Sequence, residues 1–216
     1  MTMPTGRRIP MWIKVAYSAF VAVLVPCYWV TYTPWNFLYF CDIALLVTAV
    51  AIWIESPLLV GMQAVAITLP QLLWVVDLLC RLLAGVHVTG VTAYMLDAGI
   101  PPFLRALSSY HGWLPFFLLW LLSRLGYDRR AFRIQSASAV VVLLVSYLFA
   151  PGPPPSASHP SWAVNINYVY GLDDKHPQAF MAPGLWLLFL TAFHVIALYL
   201  PTHLVLRRVF DLAPSR

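Results

Sequence analysis

The chain has few charged side chains. Lys, Arg, Asp and Glu make up 10% of its 216 residues, whereas hydrophobic residues make up 61% and the mean hydropathy is +0.78. So few polar side chains cannot cover the surface of a water-soluble globule, and the apolar runs are too numerous to be hidden in one core. The composition therefore excludes an ordinary soluble protein and indicates a chain that lies in a lipid bilayer.

Cysteine and the motifs of soluble cofactor chemistry are also scarce. The three cysteines, Cys27, Cys41 and Cys80, fall inside apolar runs, so no disulfide framework is predicted. The sequence contains no CxxC or HExxH motif, no glycine-rich phosphate loop and no internal repeat. We therefore expect no cofactor and no bound metal. The net charge is +5, but no soluble segment combines basic with aromatic residues as a nucleic-acid-binding surface would. We therefore expect no nucleic-acid partner, and we attribute the basic residues to contact with lipid headgroups.

Long apolar runs are abundant. A membrane-spanning helix needs about 20 mostly apolar residues. Six windows meet this requirement: residues 10–32, 36–55, 60–83, 103–125, 132–150 and 182–206. The first window is longer than a signal-peptide core and lacks a small-residue cleavage site, so we expect it to stay as the first helix. The sequence predicts an all-α, polytopic bundle of six transmembrane helices, forming one integral membrane domain over residues 1–216.

Basic residues are distributed unevenly between the two sides of this predicted bundle. With a cytoplasmic N-terminus, ten of the thirteen Lys and Arg residues lie inside, and only Arg81, Arg105 and Lys175 lie outside. Basic residues are enriched in the cytoplasmic loops of membrane proteins. We therefore predict that the N- and C-termini are cytoplasmic, in the inner (plasma) membrane of a bacterium.

Two connections on the predicted outer side are longer than the others. The segment "GVHVTGVTAYMLDAGIPP" joins the third and fourth windows, and "PGPPPSASHPSWAVNINYVYGLDDKHPQAF" joins the fifth and sixth. The second segment opens with a proline cluster that cannot be helical. Its "VNINYVYG" stretch alternates polar and apolar residues, a pattern typical of an extended segment. We expect the two connections to form a lid over the outer mouth of the bundle.

Four chemically active side chains inside the windows are predicted to share one depth. Counted from the outer ends of their helices at about 1.5 Å per residue, Cys41 and Asp42 lie about 9 to 10 Å deep, Asp77 about 9 Å and His111 about 12 Å. Ionisable residues at such depth are costly and usually face a functional cavity. The sequence therefore predicts a site in the outer half of the membrane.

Cys41 and His111 are the candidate catalytic pair. An imidazole can take the proton of a thiol and make it a nucleophile, and a carboxylate can orient the imidazole. Either Asp42 or Asp77 suits this third role, and we favour Asp77, because neighbouring residues on a helix point about 100° apart. His194 is expected away from this cluster, in a core hydrogen bond, and His87 is a candidate for a supporting contact.

The spacing of Asp77 and Arg81 favours an ion pair on one helix face, since the two residues are four positions apart with the acid first. The pair is either a structural element that neutralises itself or a guanidinium held near a phospholipid headgroup. A loop asparagine, Asn165 or Asn167, is a candidate for stabilising an oxyanion. The candidate substrate-binding residues are Asp42, Arg81, Asn165, Asn167 and Tyr168.

Three segments of the chain resemble one protein family. "WNFLYFCDIALL" resembles the cysteine-bearing helix start, "SSYHGWLPF" the histidine-glycine helix and "VNINYVYG" the "GxNYxFL" segment of the YwaF-type bacterial integral membrane proteins and their animal relative, transmembrane protein 164. The resemblance runs from about residue 35 to 206. It aligns Gln71 and Asp77 with a glutamine and an aspartate of the intervening helix. It implies an acyltransferase for ether phospholipids, with Cys41 and His111 as the reactive residues.

Three classes of function follow from these features. The first is a membrane-embedded acyltransferase or lipid hydrolase, whose partner is a membrane phospholipid or a fatty-acyl substrate. The second is a lipid- or solute-binding protein or transporter, with Asp42, Asp77 and Arg81 lining a polar path. The third is a haem or metal protein that uses His111 and His194, but no second histidine pair on one helix supports it.

The predicted orientation can be tested with two single cysteine replacements. A membrane-impermeant maleimide should label a Lys175→Cys variant in intact cells, because residue 175 is predicted to lie outside. An Arg129→Cys variant should be labelled only after the membrane is opened. The reverse pattern would invert the predicted orientation.

Overall fold

The computed structural model describes residues 9–210, and over these residues the chain is helical, without a β-strand. Its α-helices are α1 (Met11–Tyr32), α2 (Phe40–Ile54), α3 (Pro57–Ala84), α4 (Pro102–Ser108), α5 (Tyr110–Leu125), α6 (Arg130–Phe149), α7 (Pro183–Ala192) and α8 (Leu200–Phe210). A π-helical segment (Phe193–Tyr199) joins α7 to α8, and 3₁₀ turns cover Pro34–Leu38, Ala93–Leu96 and Ile166–Tyr168. The predicted all-α fold is confirmed.

Each of the six apolar windows contains helix, but the windows are not equivalent. Helices α1, α3 and α6 and the continuous helical stretch Pro183–Phe210 are long and apolar enough to cross a bilayer. Helix α2 is shorter, and the fourth window is interrupted at Ser109, which separates α4 from α5. The structure is a helical membrane bundle.

The second helix begins later than the sequence predicts. Pro34 opens a 3₁₀ turn, and Tyr39 then has an extended backbone (φ −60°, ψ 137°), so that α2 starts only at Phe40. The side-chain oxygen of Asn167 accepts a hydrogen bond from the Phe40 backbone N–H at 3.1 Å and so caps the new helix. The prediction of continuous helix from residue 36 is therefore wrong, and Cys41 lies in the first turn of α2.

Helix α3 is the central helix of the bundle. It packs against α2, α5, α6, α8 and the π-helical segment. Small residues permit this packing, because they let helix backbones approach closely in a membrane. At Gly61, an added Cβ would lie 3.0 Å from the Cβ of Ala131 on α6. Any larger residue at Gly61 would have to push α6 away.

The two ends of the bundle differ in composition. The arginine end carries the connection between α5 and α6 and the last turn of α8, and the backbone N–H of Tyr127 joins these two parts by donating to the Phe210 carbonyl at 2.7 Å. The loop end carries the first long loop (residues 85–101) and the second long loop (residues 150–182). Which end faces the cytoplasm stays a prediction, and the basic residues Arg7, Arg8 and Arg216 lie outside the described residues.

The second long loop is folded across the loop end. Its Ala163 N–H donates to the Tyr32 carbonyl at the end of α1, at 3.0 Å. The stretch predicted to be extended instead forms a compact turn, in which Asn165, Asn167 and Tyr168 have φ values of 49°, 55° and 62°. Asparagine tolerates this left-handed conformation better than most residues. The extended-segment prediction is therefore wrong, because alternation of polarity does not register left-handed backbone.

A buried ion pair closes the arginine end and can be tested. The Lys14 Nζ lies 2.7 Å from Glu55 Oε1, with side-chain exposures of 4% and 20%. Lys14→Met removes the buried ammonium that lies against the Glu55 carboxylate, so we expect the free energy of unfolding to fall by about 2 kcal/mol, between the values for surface and buried pairs. Adding Glu55→Gln should restore part of the loss. Thermal denaturation in detergent measures both, with the exposed Arg133→Met as the control; additive losses would show that the pair is not coupled.

Candidate functional site

A cavity of about 660 Å³ opens in the loop half of the bundle. Side chains of α1, α2, α3 and α5 line it, together with both long loops and the π-helical segment. Its volume lies within the range of about 300 to 1,000 Å³ that is typical of small-molecule sites. Cys41, Asp42 and His111, which the sequence predicted at one depth, all line this cavity.

The thiol of Cys41 lies at the N-terminus of α2. Cys41 is the second residue of α2 and lines the cavity together with Asp42 and Tyr110. Backbone N–H groups in a first helical turn have no partner within the helix, and together with the helix dipole they favour negative charge. Desolvation of the thiol and the neighbouring Asp42 carboxylate oppose that charge, so a thiolate at Cys41 needs a base to take its proton.

His111 is held in one orientation by backbone and aromatic contacts. Its Nδ1 lies 2.8 Å from the Ser108 carbonyl oxygen, and its ring packs against the rings of Trp74 and Tyr110 at centroid distances of 5.6 and 4.1 Å. A carbonyl only accepts hydrogen bonds, so Nδ1 carries the proton and the neutral imidazole presents Nε2 as the acceptor. His111 can therefore take a proton at Nε2.

Asp42 does not hydrogen-bond to His111, so it does not orient the imidazole; it pairs with Tyr110 and Asn36 instead. Its Oδ1 accepts a hydrogen bond from the Tyr110 hydroxyl at 2.9 Å, and its Oδ2 accepts one from Asn36 Nδ2 at 2.9 Å. Asp42 is thus held by Tyr110 and Asn36, while the Ser108 carbonyl orients His111.

Asp77 does not orient the imidazole of the site, contrary to the prediction we favoured. Its Oδ1 accepts hydrogen bonds from the backbone N–H groups of Thr89 at 2.6 Å and Gly90 at 3.0 Å. Its Oδ2 accepts from the Thr92 N–H at 3.1 Å, from the Thr92 hydroxyl and from His87 Nδ1 at 3.1 Å. Asp77 is completely buried and fastens the first long loop to α3. The supporting contact of His87 is made with Asp77.

The predicted ion pair between Asp77 and Arg81 is also wrong. The Arg81 side chain is exposed, and its guanidinium donates to the Gly85 carbonyl at the C-terminal end of α3. Helix C-termini attract cations, and the loop donors already occupy the carboxylate. Arg81 does not line the cavity. It therefore belongs neither to a polar path with Asp42 nor to a headgroup site in this cavity.

The two loop asparagines hold backbone rather than an oxyanion. Asn167 donates from Nδ2 to the Leu38 carbonyl at 2.8 Å and accepts from the Phe40 N–H. Asn165 lies in its own loop, where it donates to the Gly171 carbonyl at 2.9 Å and to Asp174 Oδ1 at 3.1 Å. Asn167 lines the cavity and Asn165 does not. Their predicted oxyanion role is not supported, because Asn165 does not line the cavity and the amide of Asn167 already holds the start of α2.

Tyr168 is a cavity-lining residue, and its substrate-binding role stays a prediction. It lines the cavity and is 43% exposed, while its backbone carbonyl accepts from the Trp186 indole at 2.8 Å. Burial raises the pKa of Tyr168 and of Tyr94, another lining residue of the loops, so that both hydroxyls stay protonated near neutral pH.

Three residues that line the cavity were not predicted in the leading site, and the expectation that His194 lies away from it is wrong. Tyr110 was passed over although it precedes His111, and Gln71 entered only through the family resemblance. His194 makes the expected backbone hydrogen bond, from Nδ1 to the Leu190 carbonyl at 2.8 Å, but it also lines the cavity. It lies in the π-helical segment, which ends just before Pro201, a residue without an N–H for regular helical bonding. The sequence signal that could have identified these residues is an isolated polar side chain within an apolar helix.

The charged lining residues of the cavity are all acidic. Asp42 and Asp174 line it, whereas none of the described lining residues is Lys or Arg. Aromatic rings make up much of the remaining wall, including Tyr28, Trp74 and Trp162. Within residues 9–210, no group of three or more His, Cys, Asp and Glu side chains is arranged to hold a metal ion. The wall suits an apolar or cationic group better than an isolated anion.

Comparison with family models, with curated proteins and with solved structures finds no match for this chain. The resemblance to the YwaF-type proteins therefore stays an expectation based on the three short segments.

The fastening role of Asp77 can be tested against its neighbour Arg81. Asp77→Asn removes the charge and one acceptor position from a buried group that receives several hydrogen bonds, so we expect a loss of about 3 kcal/mol in the free energy of unfolding. Amide hydrogen exchange in residues 87–92 should become faster. Arg81→Gln should change stability by less than about 0.5 kcal/mol, as is usual at exposed positions. Equal losses in the two variants would contradict the assignment.

Proposed function

We propose that the protein is a membrane-embedded enzyme that transfers or hydrolyses the acyl group of a lipid ester, with Cys41 as the nucleophile and His111 as the base. The observation that carries the proposal is the shared cavity. A thiol at a helix N-terminus and an imidazole fixed with Nε2 as acceptor, from two different helices, line the same space. The resemblance to an acyltransferase family points to the same two residues.

The chemical step uses groups that the chain supplies. His111 Nε2 takes the proton of the Cys41 thiol, and the thiolate attacks the carbonyl carbon of the ester. The tetrahedral intermediate collapses to a thioester, and the leaving alkoxide takes the proton from His111. The hydroxyl of a second lipid, or water, then attacks the thioester and gives its proton to His111, and the Cys41 thiolate that leaves takes this proton back. Transfer and hydrolysis differ only in the acceptor.

The lining favours a neutral or zwitterionic lipid over an anionic one. A phosphate in the cavity would meet two carboxylates and no described Lys or Arg side chain. The phosphate of a zwitterionic lipid can stay at the membrane surface while its acyl chain enters between aromatic side chains. The proposed partner is thus a membrane phospholipid whose ester reaches Cys41.

Lipid binding without catalysis is the second candidate. It is favoured by the network of Asn36, Asp42 and Tyr110, which satisfies the carboxylate without a reacting partner. A channel is less well supported, because the core beyond the cavity contains fully buried Leu45 and Leu118 and only Asp42 of the predicted path residues lines the cavity.

Selective labelling separates the two candidates. In lipid nanodiscs, the neutral ester methyl 2-bromohexadecanoate should alkylate Cys41 at least about tenfold faster than Cys27 or Cys80, because thiolate character and access govern the rate. His111→Phe keeps a ring at that position but removes the base, so it should slow labelling of Cys41 and reduce lipid turnover by about 100-fold or more. Intact-protein mass spectrometry and lipid analysis measure the two effects.

His194→Phe is the matched control, because His194 lines the same cavity and has the same kind of backbone hydrogen bond. It should leave the labelling rate nearly unchanged. Equal labelling of the three cysteines, together with no detectable lipid turnover, would refute the enzymatic proposal and leave the binding protein. Lipid turnover that survives Cys41→Ala would instead refute Cys41 as the nucleophile.

A further inference from the structure

One buried polar side chain in the cavity wall has no hydrogen-bond partner among the described residues. Gln71 is 3% exposed, and both its Nε2 and its Oε1 are without a partner. It nevertheless lines the cavity. Buried amide groups are nearly always hydrogen-bonded, so an unpaired one in a cavity wall indicates a group that a ligand completes.

The position of Gln71 on α3 connects it with the candidate catalytic residues. Ile67, Gln71 and Trp74 follow one another at intervals of four and three residues and therefore share one helix face. All three line the cavity. The Trp74 ring packs against the His111 ring, so Gln71 is one helical turn away from a residue that touches the proposed base.

The other amides of the cavity wall are already occupied. Asn36 donates to Asp42, and Asn167 donates to the Leu38 carbonyl and accepts from the Phe40 N–H. Gln71 is thus the amide in this wall that makes no hydrogen bond with the described residues, whereas Asn36 and Asn167 are each fixed by one of their N–H groups.

We propose that Gln71 binds the carbonyl oxygen of the acyl ester through its Nε2. The identity of the ester as the reacting group rests on the proposed function, whereas the binding of a carbonyl does not. During attack by Cys41, the carbonyl oxygen gains negative charge, and a hydrogen bond from a neutral amide strengthens as that charge develops. Gln71 then takes the role that the sequence suggested for the loop asparagines.

Infrared spectroscopy can detect this hydrogen bond without turnover. The full chain with Cys41→Ala, in micelles of an ester-free maltoside detergent, is titrated with dihexanoyl phosphatidylcholine carrying ¹³C at the ester carbonyls. Binding should produce a carbonyl band at lower frequency than that of the free lipid, and its growth gives the Kd. Adding Gln71→Met should remove the shifted band and raise the Kd about tenfold, since a side chain of similar length can no longer donate.

Gln63→Met is the matched control. Gln63 lies on the same helix, is 2% exposed and has an unpartnered Oε1, but it does not line the cavity. It should leave both the band and the Kd unchanged. Gln71→Met should also raise the melting temperature without lipid, because it removes an unpaired buried amide, so loss of the band cannot be assigned to unfolding.

The outcomes separate this proposal from the enzymatic one. An unchanged band and Kd in Gln71→Met, or equal losses in Gln71→Met and Gln63→Met, would overturn the carbonyl site. Turnover that survives Cys41→Ala, together with a band that depends on Gln71, would remove the thiol mechanism and leave Gln71 as the carbonyl-binding residue.

Discussion

The arrangement of the cavity depends on two hydrogen bonds made by Asn167. Its amide donates to the Leu38 carbonyl and accepts from the Phe40 N–H, which fastens the second long loop to the start of α2. A helix cap of this kind contributes about 1 kcal/mol, but its effect on position is larger. Because α2 starts at Phe40, Cys41 lies in the first helical turn, whose backbone N–H groups have no partner within the helix. Asn167 makes both bonds from a left-handed backbone conformation, with φ 55°.

The long helices could be predicted closely from the sequence, whereas the helix starts near the cavity could not. The bilayer requires about 20 apolar residues per crossing, and such runs can be recognised in the sequence. The bounds of α1, α3 and α6 accordingly lie within a few residues of the predicted windows. Hydropathy does not distinguish an α-helix from the 3₁₀ turn that Pro34 opens. The start of the second window was therefore placed four residues too early.

The candidate site was predicted only in part, because regular helix can be read from the sequence and loop contacts cannot. Counting residues along helices brought Cys41, Asp42 and His111 to one depth, and all three line the cavity. The partners of Asp77 could not be found in this way, because they come from backbone N–H groups more than ten residues further along the chain. Spacing of four residues shows that two side chains share a helix face, and not that they pair. Gln71 carries no charge, so it gave a weaker signal than the aspartates.

The short length of α2 has a consequence for the surrounding lipid. Its 15 residues extend over about 22 Å, whereas the hydrocarbon core of a bilayer is about 30 Å thick. Part of α2 faces outward, since Val50, Trp53 and Ile54 are exposed. Lipids next to this face meet a hydrophobic mismatch of about 8 Å, which a membrane relieves by local thinning. Thinning draws the ester region of neighbouring lipids inward, towards the first turn of α2, where Cys41 lies.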